Sequence, residues 1–561
     1  MMSKLILLII LLPVLSALLM HLLEGKLGRC VARISVAAIL LSALFSGVLL
    51  WLSLSGHLIG QSISISPWTI LYFDSLSILM ALVISLISLI VHIYSLRYMA
   101  EESGYARFFV LLDLMTASLL LMVAAGDMIS LIIAWHFVGV FLYFLLGQDT
   151  RNPTAYRYAF WSLITYRIGD LPLVFAAVLL FQAYGTWSLP IIFEQLNQAP
   201  NAHSVFGLPL PEVIGILLAL AAFARSAQFL LHTWLPYTMD GPTPVSALMH
   251  AGIVNAGGFL INRFAPIFAN TSDVLQWVFI VGFISAIIGS VLMLVQNDIK
   301  KSLGYSTMGQ MGFMIMECGI GAFSLAIYHL IAHGVFKGTL FLSAGSVIHS
   351  ARKNDGVPQD ELYTFVVEKR PAITRKPWLL MAAFTLSVPL VVLILSHSFV
   401  SEDYFQKQGA IVLLFFGWIT GAQLIFATYR THAQNLWRLV FISILSFTIV
   451  IIGYIFISHA FNVYLYPDTA LREKLIAAAS IDKIRFDILV ALITLTIVIG
   501  WLVAYYTERN RNGKHPKYTG RLWTMFYALI TREFYLTDLY SLLSRTILSS
   551  ANKLNVWLRW N

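Results

Sequence analysis

Apolar runs of about twenty residues follow one another along the chain, centred near positions 14, 43, 86, 116, 137, 177, 222, 253, 285, 311, 335, 388, 418, 449 and 496. Twenty residues of helix span the hydrocarbon core of a bilayer. Polar positions do not alternate within the runs in segments of about ten residues, which excludes a membrane β-barrel. In lipid every backbone group must be satisfied within its own segment, so each run is expected to be helical. The pattern predicts an all-α polytopic membrane protein of about 14–15 transmembrane helices. Leu5 to Leu23, behind Lys4, is too long for a signal-peptide core and is expected to stay as the first helix. Breaks are visible too. Pro236, Gly241, Pro242 and Pro244 separate the seventh and eighth runs, and the eleventh is long enough to contain a break.

Placement of basic residues orients the set. About 22 lysines and arginines, from Lys26, Arg29 and Arg33 through Lys300 and Lys301 to Arg509–Arg521, fall on one side, and about seven on the other, several between Arg472 and Arg485. By the positive-inside rule the amino terminus is outside and the carboxyl terminus cytoplasmic. The tail from Thr507 is basic, then amphipathic, with Trp523, Phe526, Tyr527, Phe534, Tyr535, Trp557 and Trp560, which suits a membrane surface or a partner.

Composition agrees: 59% of residues are hydrophobic and 11% charged, the reverse of a disordered chain. The net charge is +9. Cys30 and Cys318 are too few to ligate an iron–sulfur centre. No GxxxxGK[ST] loop, dinucleotide-binding strand–helix turn or HExxH is present, and His329 with His333 is weak evidence for metal. No cofactor is expected on this chain, and with no soluble domain any cytoplasmic chemistry falls to another one.

Charge inside a bilayer is costly, so ionisable residues in the runs are functional candidates. Within or bordering them stand Asp113, His136, Arg167, Asp170, Arg225, His232, Asp240, His250, Glu317, His329, His333 and Lys337, expected to line a polar axis. His329, His333 and Lys337 recur every four residues and so share one helix face. Histidine titrates near neutrality and buried lysine can approach it, so this row, facing His250, can pass protons through intervening water. The competing reading has each histidine simply bonding a carbonyl. Arg225 cannot release a proton; it either positions water or an anion beside His136 or is pinned by Asp170 or Asp113. Glu317 is either a buried acid or a member of the relay.

Several stretches resemble one family. Phe73-Asp74-Ser75-Leu76-Ser77, Arg167-Ile168-Gly169-Asp170, the run Gly241 to His250 (GPTPVSALMH), Asp298-Ile299-Lys300-Lys301 with Tyr305-Ser306-Thr307-Met308, and His329 to Ser346 are similar to the antiporter-like membrane subunits of respiratory complex I and Mrp antiporters. The resemblance covers about residues 70–405. It implies two inverted five-helix repeats, broken seventh and twelfth helices, and a proton path at the membrane midplane. His136 stands where the family has a glutamate and Arg225 where it has a lysine, while Phe399-Val400-Ser401-Glu402-Asp403 lacks the family's lysine. The resemblance brings Glu402 and Asp403 into the candidate path. His250 to Leu260, Ser306 to Met314, Cys318 to Phe323 and His333 to Lys337 look like the DabB-type branch. That branch implies a DabA-like zinc partner, related to β-carbonic anhydrases, with which inorganic carbon is accumulated.

The expected organisation is N-terminal transmembrane helices (1–69), a first (70–265) and second (266–430) antiporter-like repeat, C-terminal transmembrane helices (431–508) and a basic amphipathic cytoplasmic tail (509–561). Three functions stay open: a proton- or cation-conducting subunit of an inorganic carbon complex in a bacterial inner membrane, a pumping subunit of a respiratory NADH dehydrogenase or Mrp antiporter, and a non-conducting anchor for a cytoplasmic enzyme. The coupling ion, proton or sodium, is also open.

Overall fold

The computed structural model describes residues 2–353, with short breaks near 57–59, 66–67, 150–151, 201, 239–240 and 297–298, and most of residues 456–480 and 525–559. The runs centred near 388, 418, 449 and 496 and the candidates Asp240, Glu402 and Asp403 lie outside the described residues.

Eleven predicted runs become helices. α1 (Met2–Leu27) and α2 (Ala32–Leu54) pack on each other, and α1 also packs on α4 (Tyr105–Ala124). Between α2 and α3 (Ser75–Tyr98) lies an antiparallel hairpin of β1 (Gln61–Ile65) and β2 (Trp68–Phe73), which the search for apolar runs passed over. Asp74 caps α3, accepting a hydrogen bond from the Ser77 amide at 2.9 Å. Asp127 does the same for α5 (Met128–Leu146), and Asn152, with Pro153 at the first helical position, for α6 (Pro153–Tyr184). A short amphipathic α7 (Leu189–Gln198) and a second small hairpin, β3 (Ser204–Val205) with β4 (Leu208–Pro209), lead to α8 (Leu210–Arg225).

The predicted break is present and wide. After Arg225 the chain unwinds through Ala227 and Leu230, both at positive φ, and resumes as α9 (Trp234–Tyr237). α10 (Thr243–Leu248) passes into a π-helical turn at Met249–Ile253 and then α11 (Ala256–Arg263). Single π turns of this kind concentrate at functional sites. After α12 (Ala265–Phe268) come α13 (Ser272–Val295) and α14 (Ile299–Gly319). These two lie backbone against backbone: a Cβ on Gly289 would meet the Gly309 amide at 2.5 Å, and one on Gly312 would collide with the Ala286 amide. α15 (Phe323–Lys353) runs unbroken for 31 residues, so the eleventh run contains no break.

Eight stretches among the described residues are long and apolar enough to cross a membrane, the first of them, Ile6–Leu54, holding both α1 and α2. The protein is a multi-pass membrane protein. The chain forms two compact units. Met1–Gly319, His329–Leu342 and Tyr518–Asn561 make the first, and Ile320–Tyr328 with Ser343–Lys517 the second. Within the second, α16 (Thr469–Ala478) is capped by Asp468, Tyr466 sets its ring edge-on to Phe323, and Ser324 hydrogen-bonds Asn462. Within the first, α17 (Leu536–Leu558) follows a turn in which Glu533, Phe534 and Tyr535 all take positive φ. Glu533 is buried and accepts from the hydroxyls of Tyr237 at 2.9 Å and Thr537 at 2.8 Å. Tyr540 donates to the carbonyl of Leu230, so the tail is tied to the unwound segment after α8.

Candidate functional site

The ionisable candidates of the first unit resolve into separate clusters rather than one line. The largest is built where α14 and α15, consecutive and joined by a short turn, bring early residues of one beside late residues of the other. His329 is held from both sides: Nδ1 lies 3.0 Å from Glu317 Oε2, and Nε2 lies 3.0 Å from Gln310 Oε1. Glu317 is therefore paired with a histidine rather than standing alone. One turn on, the His333 ring centroid is 6.5 Å from that of His329. A further turn places Lys337, which donates to Ser306 Oγ at 2.8 Å and approaches the carbonyl of Leu303 at 3.5 Å. Lys337 is 1% exposed and His333 5%.

His250 reaches this row from the π turn. Its ring stacks on Phe341 at 4.2 Å, and its charge would act on both Lys337 and His333. Asn255 ties the next turn to α15 through the Leu330 carbonyl at 3.5 Å. All four ring nitrogens of His250 and His333 are buried with no hydrogen-bond partner among the described residues. The reading in which each histidine bonds a carbonyl therefore fails for these two. A buried imidazole left in this way is normally satisfied by ordered water.

The second cluster joins α5, α6 and α8. Asp170 is shared: Oδ2 lies 3.0 Å from Arg167 Nη2 and 3.8 Å from His136 Nδ1, while Oδ1 lies 3.6 Å from Arg225 Nη2. Arg225 thus meets Asp170, and the carboxylate stands between it and His136. Arg225 also donates to the Trp135 carbonyl at 2.7 Å and sits over the rings of Trp135 and Tyr166, 4.4 and 4.1 Å from their centroids. The static reading of Arg225 fits this arrangement. His136 is half-exposed, its Nε2 3.2 Å from Arg167 Nη1, and is not a member of a buried file.

The other partner considered for Arg225, Asp113, lies elsewhere, against His92. His232 is fully buried on the unwound segment, its ring 6.2 Å from that of Tyr305. Among the described residues no group of three or more His, Cys, Asp or Glu could hold a metal ion.

Sequence reasoning missed Gln310, Ser306, Asn255 and His92. A signal existed for the first two. Ser306, Gln310 and Glu317 fall on one face of α14 at spacings of four and seven, the face that meets the histidine row.

Residues 125–426 match the family model of the transmembrane region of NADH:quinone oxidoreductase and Mrp antiporters, and residues 62–109 match the N-terminal region of complex I chain 5. The chain belongs to this family of complex I/Mrp antiporter-like membrane subunits. Within it, the chain is 56% identical over 559 residues, 99% of each protein, to the probable inorganic carbon transporter subunit DabB1 of Halothiobacillus neapolitanus. It is 36% identical over 366 residues to NADH-quinone oxidoreductase subunit L of Rickettsia typhi, spanning 63% of this chain and only 56% of that protein. Among solved structures, the Mrp complex from Dietzia sp. DQ12-45-1b matches 94% of this chain and 62% of its own chain with a TM-score of 0.57 at 22% identity. The archaeal membrane-bound sulfane sulfur reductase matches 95% and 97% with a TM-score of 0.54 at 18% identity. These two likenesses concern the fold.

Proposed function

We propose that this chain is the proton-conducting membrane subunit of a two-component inorganic carbon accumulation complex. The observation that carries the reading is the buried row Glu317, His329, His333 and Lys337 with His250 beside it. His329, His333 and Lys337 follow one another at single-turn spacing, with Glu317 bonded to the first of them. Two of the row's histidines offer buried nitrogens with no partner among the described residues, which supports a hydrated file between fixed groups. Lys337 closes the row with an ammonium whose neighbours are a hydroxyl and a carbonyl, without a fixed counter-ion among the described residues.

Asp170, Arg167 and Arg225, with His136 at the rim, form a fixed charge cluster that sets the field near the path rather than a link in it. Glu402 and Asp403 complete the candidate set by resemblance. The likeness to DabB1 supports inorganic carbon as the cargo. On this reading a DabA-like zinc protein on the cytoplasmic side carries out hydration of carbon dioxide, and inward proton flow biases it toward bicarbonate. Catalysis resides on that partner, and the complex sits in a bacterial inner membrane with this chain's amino terminus outside.

The test is carbon-dependent growth rescue by the pair, together with proton flux in liposomes holding the purified complex. Lys337→Ala and His333→Ala are expected to abolish both. Undiminished rescue in both variants removes the row from the mechanism, and co-purification with flavin and iron–sulfur proteins replaces the carbon reading with a respiratory one.

A further inference from the structure

A buried charged cluster that the proposed path does not use joins α2, α3 and α4. His92 Nε2 lies 3.0 Å from Asp113 Oδ1, which also accepts from Ser35 Oγ at 2.7 Å. His92 Nδ1 lies 2.6 Å from the Ser88 carbonyl and 3.2 Å from Ser88 Oγ, and Ser88 Oγ lies 2.6 Å from Thr116 Oγ1. All five residues are 0% exposed. The second oxygen of Asp113 is buried and has no hydrogen-bond partner among the described residues.

We propose that His92 and Asp113 form a second proton-binding site in the membrane, separate from the row on α15. The Ser88 carbonyl can only accept, so His92 Nδ1 keeps its hydrogen. Nε2 and Oδ1 then share one proton. With that proton on nitrogen the pair is imidazolium and carboxylate; with it on oxygen the pair is imidazole and carboxylic acid. Both forms are neutral overall, which is why the pair is tolerated without exposure. Release of the shared proton leaves neutral imidazole beside carboxylate, a net charge of −1 partly supported by the Ser35 hydroxyl. The hydroxyls of Ser88 and Thr116 line the Nδ1 side of the ring and hold it in place.

A tie between helices would not need ionisable groups. A buried ion pair holds helices together no better than well-packed apolar side chains do, and its cost in a bilayer marks function. A structural tie would also not leave a carboxylate oxygen unserved. Among the described residues, the groups in hydrogen-bond or ring contact with the pair are Ser35 on α2, Ser88 on α3, and Phe109 on α4, with Thr116 behind Ser88, none of them charged. Arg107, lower on α4, is turned to the Gln148 carbonyl. On α1, which packs on α4, the ionisable residues are Lys4, His21, Glu24 and Lys26, all near its ends.

Infrared difference spectra of the purified full chain in lipid, titrated between about pH 4 and pH 10, test this without any transport assay. Wild type is expected to show a carboxyl C=O band that rises and falls with pH and disappears in Asp113→Asn. Ser35→Ala, which removes a donor to Asp113 while leaving the pair intact, is expected to shift the frequency of that band. Absence of any Asp113-dependent band in wild type, or a band that Ser35→Ala leaves in place, overturns the proposal. The path on α15 stands or falls separately, because its own test reads flux in Lys337 and His333 variants.

Discussion

Gly334 faces the carbonyl of Ala251 so closely that a Cβ there would sit 2.7 Å from the oxygen. This contact seats α15 on the π turn and fixes where His250, one residue before Ala251, meets His333, one residue before Gly334. A methyl group at this point cannot be accommodated without moving one backbone. Gly334→Ala is therefore expected to lower stability in detergent by about 1–3 kcal/mol, the usual cost of overpacking, read from the thermal midpoint. It is also expected to reduce proton flux more than Gly338→Ala does. At Gly338 a Cβ would lie 3.7 Å from the Ala251 Cβ, an ordinary contact. Equal effects at the two positions would refute the alignment role.

Lys337→Arg separates charge from proton exchange. Arginine keeps the cation but does not release its proton. Flux through the complex is expected to fall by about 100-fold, the low end of what a positioned proton-transfer group contributes. Retained elution volume and thermal midpoint would show that the helix is still in place. Flux near the wild-type rate would assign Lys337 a purely electrostatic role.

Arg225→Lys tests the opposite assignment. The guanidinium lies over two aromatic rings and reaches a carbonyl and a carboxylate at once. An ammonium cannot reproduce that fork. The variant is expected to lose about 2 kcal/mol of stability, the value of a desolvated cation–π contact, while the pH profile of flux is unchanged. A shifted pH profile with unchanged stability would place Arg225 in the path.

Asp74 predicts an acid limit outside the spans. Burial raises its carboxyl pKa, but Arg263, 2.7 Å away, and the Ser77 hydrogen bonds outweigh that and leave it below the ordinary value. A carboxyl depressed in the folded state stabilises above its unfolded value, near pH 4, and the contribution is lost as pH falls through the folded value. Asp74→Asn keeps an N-cap but leaves Arg263, 5% exposed, without its carboxylate, and is expected to cost about 1.5–3 kcal/mol at neutral pH. The gap between variant and wild type should close below about pH 4 when unfolding is followed in acid. A gap that persists there would show that the charge of Asp74 is not the cause.

Tyr237→Phe addresses the tail. Removing this hydroxyl takes a donor from the buried Glu533 carboxylate, which also accepts from Thr537. Loss of such a charge-assisted bond is expected to cost about 2 kcal/mol and to speed hydrogen exchange over residues 533–540. Unchanged exchange would mean that Tyr540 and the ring contacts hold the turn unaided.

Much of the membrane architecture could be read from the chain because hydrocarbon permits few backbone solutions, and a run of about twenty apolar residues has only one of them. An interruption between the seventh and eighth runs was equally legible from Pro236, Gly241, Pro242 and Pro244, but that the helix already ends at Arg225 was not, because no proline stands there. The spacing of His329, His333 and Lys337 gave their common face directly. Partners were harder. Arg225 could meet either of two aspartates, and only packing decides that Asp170 reaches it while Asp113 turns to His92. Gln310 and Ser306 went unremarked because an amide and a hydroxyl at ordinary helical positions carry no charge signal. The hairpin at Gln61–Phe73 is too short to stand out as an apolar run of membrane length, although Ile63 and Ile65 alternate with serines as a strand would.

The glycine-lined seam between α13 and α14 has a mechanical consequence. Two helices that touch along their main chains cannot slide or tilt without collision, so they act as one stiff stave. Gln310 and Glu317 ride on that stave and keep a fixed spacing to one another. On the proposed reading, movement that opens a route for ions is easiest among the described residues on the side bearing the π turn and the uncoiled stretch after Arg225, where the backbone departs from regular α-helical bonding.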